Sequence, residues 1–166
     1  MEQALYFDDS YQKEFESVVK LVDPADNRNM VLEKTLFYPT GGGQPFDTGK
    51  LICKNQEFNI ISVKKSESNI IHELDKPGLK QGDKIKGIID WNRRYRLMRS
   101  HTAMHLISAI AIQDTGALIT GNQIDIDKSR IDFDLEDFNK DILQSFIDKA
   151  NKFVKEDKDY HDFGDH

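Results

Sequence analysis

The hydrophobic pattern changes at Asp90, and this change constrains the fold more than any other feature of the chain. After Asp90 no glycine or proline occurs before Gly116, and apolar residues recur at helical spacing. Before Asp90, short apolar segments alternate with turn residues, a spacing typical of a small barrel or sandwich. These segments cover residues 15–22, 30–37, 51–53, 58–63, 70–74 and 85–89. We therefore expect a β domain over residues 1–90 and a helix-containing domain over residues 91–166.

Two helices are predicted in the second domain. The first has Asn92 as its N-cap and ends before Gly116, and the second covers 135–153 with Asp134 as its cap. The intervening residues 124–133 alternate as a strand or hairpin, and the charged tail 155–166 is expected to fray. The predicted stripe of the first helix contains Leu97, His101, Met104, His105, Ser108 and Ile112, and that of the second contains Leu135, Phe138, Ile142, Phe146, Ala150 and Phe153.

His101 and His105 are candidate metal ligands, because side chains four residues apart project from the same helix face. The alternative is a pair of core histidines bonded to backbone carbonyls, but burying two imidazoles without a ligand is costly. We therefore predict a metal site, and neutral imidazoles in a reducing cell favour Zn²⁺ over Ca²⁺ or Mg²⁺. Zinc takes three or four protein ligands. The further candidates are His72, Cys53, His161, His166 and the carboxylates.

A glycine run forms a second candidate site, in which Gly41, Gly42 and Gly43 lie between Thr40 and Gln44. Bare backbone N–H groups, a hydroxyl and an amide can together surround a small polar ligand. No helix follows, so the run is not a dinucleotide fingerprint, and it lacks the Gly-Lys-Ser/Thr ending of a phosphate loop. Glycines also serve as plain turn residues, and Gln44 could serve only to pin the loop to the next strand.

A basic cluster of Arg93, Arg94, Arg96 and Arg99 directly precedes the histidines. Cations near a helix N-terminus oppose the helix dipole unless an anion binds there. The phosphates of a nucleic-acid end would supply that anion. The alternative is a solvated first part of a helix.

The composition excludes several classes of protein. The 166 residues contain no apolar run of membrane-spanning length, and the N-terminus lacks a signal-peptide pattern. The single cysteine, Cys53, excludes an internal disulfide framework and fits a reducing cytoplasm. The net charge of −6 argues against broad nonspecific binding of nucleic acid, although it permits a local basic patch.

Two long motifs, residues 35–49 with the glycine run and 90–106 with the histidines, are followed by a strand at 129–134. Together they closely resemble the AlaX family, free-standing relatives of the editing domain of alanyl-tRNA synthetase, over residues 6–154. The resemblance implies an α+β fold. In this fold a small N-terminal β-barrel bears the glycine motif, and an α/β editing domain follows with a metal-binding helix packed on an antiparallel sheet.

The resemblance also implies cytoplasmic trans-editing, the hydrolysis of the ester that joins serine, and sometimes glycine, to alanine tRNA. His101 and His105 would be zinc ligands and, with Gln44, the catalytic residues. The substrate would contact Thr40, Gly41, Gly42, Gly43, Gln44 and Arg99, and the tRNA would contact Arg93, Arg94 and Arg96. A seryl hydroxyl would distinguish serine from alanine, with Thr40 and Gln44 as the groups that bind it. Zinc could activate the water, or it could orient the aminoacyl group while the terminal ribose hydroxyl assists.

The family completes its zinc site with a Cys-x-x-x-His pair after the second helix, whereas this sequence has no cysteine after Cys53. We expect a truncated chain, or one that has lost half of its ligands. A second hypothesis is therefore a tRNA-acceptor-binding module of the same fold without catalysis. A third is a metal-dependent hydrolase of an unrelated small ester, against which the arginine cluster argues.

Overall fold

The computed structural model describes residues 3–67, 69–136 and 139–156. It forms two compact units, one up to Tyr95 and the other from Arg96 onward.

The first unit is built from strands. They are β1 (Gln3–Ala4), β2 (Glu14–Val22), β3 (Asn29–Leu32), β4 (Lys34–Thr35), β5 (Gly49–Cys53), β6 (Gln56–Ser66), β7 (Asn69–Leu74) and β8 (Lys84–Ile89), with a 3-10 helix at Leu5–Phe7. Six strands close into an antiparallel barrel in the order β2-β3-β7-β6-β5-β8. The short β1 pairs in parallel with β4 outside the barrel. Of the two architectures that the strand spacing predicted, a small barrel or a sandwich, the structure has the barrel.

Alternation of side chains places the core inside this barrel. Along β2, Phe15, Ser17 and Val19 are buried while their neighbours face outward. Gly87 of β8 lies opposite Phe15, and a Cβ at Gly87 would approach the Phe15 ring to 2.2 Å. The aromatic ring therefore occupies the space that a side chain at position 87 would need.

One of the predicted strands differs from the observed ones. The strand expected over 30–37 is divided into β3 and β4, and the residues after Thr35 leave the sheet. Strands β5 and β6 form a hairpin whose tip is Lys54 and Asn55, with φ of 48° and 65°. Two successive residues at positive φ give the turn whose twist matches that of the flanking strands.

The long helix α1 (Trp91–Thr115) begins in the first unit and continues in the second. Asp90, not the predicted Asn92, caps it, because the Asp90 carboxylate accepts a hydrogen bond from the Arg93 N–H at 3.2 Å. Gly116 ends the helix at φ 71°, as predicted. Trp91 stacks on Tyr95 at a centroid distance of 5.7 Å, and Tyr11 lies equally close to Trp91.

The second unit contains most of α1, the antiparallel pair β9 (Leu118–Gln123) and β10 (Arg130–Asp134), and α2 (Lys140–Lys155). Residues 124–129, predicted as part of a strand or hairpin, connect these two strands. Asp134 belongs to β10, so it is not the predicted cap; the Asn139 carboxamide oxygen accepts from the N–H groups of Asp141 and Ile142, both at 3.0 Å. Phe138 and residues 157–166 lie outside the described residues.

Apolar contacts hold the second unit together. Leu106 and Ile110 of α1 pack with Phe146 of α2, and Phe133 of β10 joins this cluster. Leu97 and Met104 pack with Ile124 in a further cluster. The α+β class is therefore confirmed. Among the described helices, none is long and apolar enough to cross a membrane.

Candidate functional site

The glycine run forms the tip of a hairpin over residues 38–47, which we call the glycine hairpin. Gly41 and Gln44 exchange both of their backbone hydrogen bonds, at 3.1 and 2.9 Å. Gly42 and Gly43 make the turn at φ 59° and 79°, a backbone region that residues with a Cβ adopt at a cost. The expectation of three bare amides is corrected, because the Gly41 N–H is used within the hairpin. The exposed tip consists of Gly42 and Gly43.

The two polar residues that flank the glycines differ in exposure. Thr40 is exposed, and its N–H donates to the Val63 carbonyl of β6 at 3.1 Å, which ties the hairpin to the barrel. Gln44 is buried, with 6% of its surface exposed. The Thr40 side chain is therefore the more accessible of the two, while the Gln44 backbone closes the turn.

A buried ion pair lies at the base of the glycine hairpin. The Arg94 Nε donates to Asp47 Oδ1 at 2.9 Å, and the side chains of Arg94 and Asp47 are 3% and 1% exposed. The Arg94 guanidinium also donates to the carbonyls of Leu36 and Ser10. The assignment of Arg94 to tRNA phosphates is therefore wrong: the anion that its position at the helix start requires is supplied by Asp47.

The other arginines of the cluster differ in their surroundings. Arg93 is half-buried, and its Nε and Nη2 both donate to the Phe46 carbonyl at 3.2 Å. In the second unit, Arg96 and Arg99 are exposed. Arg96 Nη2 lies 3.8 Å from the exposed carboxylate of Asp127, a distance and exposure at which an ion pair contributes little. Arg96 and Arg99 are thus the members of the cluster that solvent reaches readily.

His101 and His105 lie on consecutive turns of α1 with their rings nearly parallel. The ring centroids are 4.8 Å apart and the planes differ by 13°. Partial burial, and secondarily the charge of His105, lower the pKa of His101. A lowered pKa favours the neutral imidazole, which is the form that binds a metal.

Other candidate metal ligands are removed by the fold of the first unit. His72 of β7 is fully buried, and a hydrogen bond of 2.9 Å joins its Nε2 to Thr35 Oγ1. Burial lowers the pKa of His72 to about 4 and raises the pKa of the buried Cys53 thiol. These two side chains serve the barrel core, whereas His161 and His166 lie outside the described residues.

The two imidazoles fit half of the ligand set that a zinc ion takes. Their spacing and orientation on one helix face suit a shared ion. Within residues 3–67, 69–136 and 139–156, no three histidine, cysteine, aspartate or glutamate side chains come close enough to hold a metal. Binding of Zn²⁺ by His101 and His105 therefore stays a prediction.

A cleft of about 520 Å³ also lies in the second unit, and no sequence motif predicted it. Its walls come from α1, β10 and α2 and from the connection between β9 and β10. The apolar lining residues include Met104, Ile107, Ile126, Ile131, Phe133, Leu143 and Ile147. Ser100 and Arg130 add polar groups to the lining.

Sequence reasoning missed Asp47 and misassigned Arg94, although a signal was present. Arg94 lies three residues before Leu97, so it extends the inward-facing stripe of α1 by one turn toward the N-terminus. A charged residue on such a stripe predicts a buried partner. Arg96, two residues further along the helix, is on a different face and is exposed.

Known proteins match most of this chain. Residues 7–93 match the family model described as tRNA synthetases class II (A). Over 160 residues, 93% of this chain, the sequence is 49% identical to the alanyl-tRNA editing protein AlaX-M of Methanosarcina barkeri. The chain belongs to the AlaX family.

Two further relatives match most of the chain at lower identity. AlaX-M of Saccharolobus solfataricus is 43% identical over 160 residues, 95% of this chain. The alanine–tRNA ligase of Pyrococcus abyssi is 35% identical over 161 residues, which make up 17% of its length. This chain spans 65% of the length of the M. barkeri AlaX-M protein and 66% of the S. solfataricus protein.

Proposed function

We propose that this chain takes part in tRNA editing as a deacylase, which hydrolyses the ester that joins a wrong amino acid to alanine tRNA. Support comes from the family membership and from relatives named alanyl-tRNA editing proteins. The observation that carries the proposal is the retention of both sequence motifs in folded form. One is the glycine hairpin of the first unit, and the other is the parallel pair His101 and His105 in the second.

The glycine hairpin suits recognition of an aminoacyl group. The exposed tip offers the amide groups of Gly42 and Gly43, and the exposed Thr40 adds a hydroxyl. We propose seryl-tRNA, and secondarily glycyl-tRNA, as substrates. Groups that hydrogen-bond a seryl hydroxyl are left unpaired by alanine, and this difference rejects the correct amino acid. We assign Gln44 two contributions to substrate recognition: its backbone closes the turn that presents the tip, and its carboxamide is a second candidate group for binding the seryl hydroxyl.

His101 and His105 would hold Zn²⁺ in this proposal. When bound, zinc supplies a Lewis acid that lowers the pKa of water or polarises a carbonyl. The histidines contribute neutral imidazole nitrogens, and the lowered pKa of His101 supports that form. Hydrolysis of an aminoacyl ester mainly requires orientation of the ester and of a water molecule, because the bond is intrinsically labile.

Recognition of the tRNA is assigned to the exposed arginines. Arg96 and Arg99 are exposed, whereas Arg93 and Arg94 bind the glycine hairpin. Each phosphate contact releases counterions and makes the affinity dependent on salt. The double variant Arg96→Gln/Arg99→Gln should therefore lower tRNA affinity and reduce the slope of log affinity against log salt by up to about two. If the tRNA affinity and its salt slope are unaltered, these arginines do not bind tRNA and only form a solvated helix face.

Metal content and deacylation, measured together, test the proposal. Zinc is quantified after dialysis, and hydrolysis is followed on seryl-, glycyl- and alanyl-tRNA. His105→Ala is the test variant, and Thr102→Ala is its control because Thr102 is exposed on the same helix. The proposal is supported if the original chain and Thr102→Ala both contain zinc and hydrolyse seryl-tRNA, and if His105→Ala has lost both properties. Binding of tRNA with neither zinc nor hydrolysis favours the binding module instead.

A further inference from the structure

Arg93 and Arg94 are adjacent in sequence, and both bind the arm of the glycine hairpin that leads back to the barrel. The Arg93 guanidinium donates twice to the Phe46 carbonyl. The Arg94 guanidinium binds both carboxylate oxygens of Asp47. Two successive hairpin residues are thus held by two successive residues of the first helical turn.

The glycine hairpin has few hydrogen bonds of its own. Its base is closed by the Asp47 N–H, which donates to the Tyr38 carbonyl at 3.0 Å, and its tip by the Gly41–Gln44 pair. Between these closures lie Pro39 and Pro45, one in each arm, which have no N–H to donate. A regular ladder therefore cannot hold the two arms together along their length.

The ion pair reinforces the base of the hairpin, where Asp47 and Tyr38 join the two arms. Asp47 Oδ2 accepts the Tyr38 N–H at 2.7 Å, so one carboxylate binds both the other arm and Arg94. Arg94 also donates to the carbonyl of Leu36, two residues before the first arm begins. The planar guanidinium fixes these acceptors in one geometry, which a lysine ammonium does not.

Burial determines how much the Arg94–Asp47 ion pair contributes to the stability of the fold. Both side chains are almost fully removed from water, and desolvation offsets much of the attraction between them. The pair is therefore a weak source of net stability compared with an apolar contact of similar volume. Its directional bonds specify one arrangement of the arms.

We propose that Arg94 and Asp47 are positioning residues that set the orientation of the glycine hairpin tip. The inference rests on the proposed function, in which the amides of Gly42 and Gly43 contact the aminoacyl end of the substrate. Loss of the guanidinium fork would let the tip adopt several orientations while the barrel stays folded. The arginine that the sequence suggested as a phosphate ligand thus acts on the substrate through the hairpin.

Amide hydrogen exchange of the whole chain tests the proposal in Arg94→Lys, which keeps the charge and loses the fork. Arg96→Lys, an exposed position on the same helix, is the matched control. We expect exchange at the Gly41 and Gln44 amides to rise at least tenfold in Arg94→Lys, with unchanged protection of barrel amides such as that of Leu51. Arg96→Lys should show no change at any of these amides.

Kinetics provide the second measurement. On seryl-tRNA, Arg94→Lys should lower kcat at least tenfold with little change in KM, because a misoriented tip still binds the tRNA but aligns the ester poorly. Unchanged exchange at the hairpin amides overturns the positioning role whatever the activity. Absence of hydrolysis by the original chain instead contradicts the proposed function, and the exchange data then decide the positioning role alone.

A general loss of protection needs a separate variant. If Arg94→Lys also loosens the barrel amides, Asp47→Asn replaces it, because asparagine keeps the volume and an oxygen acceptor for the Tyr38 N–H. Selective exchange at the hairpin in Asp47→Asn supports the proposal. Equal loss of protection in the hairpin and the barrel in both variants overturns it.

Discussion

Acidification should destabilise the first unit through one buried side chain, His72. Burial lowers the pKa of His72 to about 4 in the folded unit, against the ordinary value of 6.5 in an unfolded chain. Between these two pH values the unfolded chain binds more protons than the folded one. The free energy of unfolding therefore falls as the pH falls through this window, and the contribution of neutral His72 is fully present above it.

The size of the effect follows from the two pKa values. A tenfold change in proton affinity corresponds to about 1.4 kcal/mol, so His72 accounts for about 3 kcal/mol lost between pH 7 and pH 4. This is a large part of the stability of a typical domain. The backbone of Met30 and Ile70 raises the pKa of His72 and opposes the effect of burial only in part.

Urea unfolding, followed by the NMR signals of barrel amides such as that of Leu51, measures this loss. The control variant His72→Gln removes the titrating group. Carboxylates titrate in both proteins, so the difference between the two pH dependences isolates the imidazole. His72→Gln should be less stable at pH 7 and should lose about 3 kcal/mol less on acidification. If both proteins lose the same free energy of unfolding on acidification, His72 does not have the lowered pKa on which the prediction rests.

Three further predictions concern single side chains. Arg94→Met should lower the free energy of unfolding of the first unit by about 3–5 kcal/mol, because it leaves the buried Asp47 carboxylate unpaired. The control Arg96→Met should change the free energy measured by urea unfolding by less than about 0.5 kcal/mol. Similar losses in the two variants would contradict the burial of the Arg94–Asp47 pair. Gly42→Ala should lower the free energy of unfolding by about 1–2 kcal/mol, because alanine is strained at φ 59° although its Cβ would meet no atom within 4 Å. An unchanged melting temperature would contradict this. Asn139→Ala should lower the free energy of unfolding measured in urea by about 1 kcal/mol, because it removes the N-cap of α2. An unchanged free energy would show that the cap does not stabilise the helix.

The barrel was predictable because alternation and turn residues are local properties. The β5–β6 hairpin and the end of α1 at Gly116 follow from residues within a few positions of each other. The start of α2 was placed too early because Asp134 resembles a cap and is followed by apolar residues. Its pairing with Leu118 in the β9–β10 sheet, a contact distant in sequence, keeps Asp134 in a strand.

The candidate sites were predictable only as motifs. Spacing alone placed His101 and His105 on one helix face, and the structure brings their rings together. The distinction between Arg94 and Arg96 could not come from their chemistry, because both are arginines in one basic run. It depends on Asp47, which lies 47 residues from Arg94 in the chain and reaches it only in the folded barrel.

The position of Trp91 has a practical consequence for folding experiments. It is the only tryptophan in the sequence, and it lies in the first unit beside Tyr11 and Tyr95. Its fluorescence therefore reports on the first unit, whereas far-UV circular dichroism is dominated by α1 and α2, most of whose residues belong to the second. One unlabelled sample thus carries a separate optical signal for each unit, and non-coincident transitions would reveal that they unfold independently.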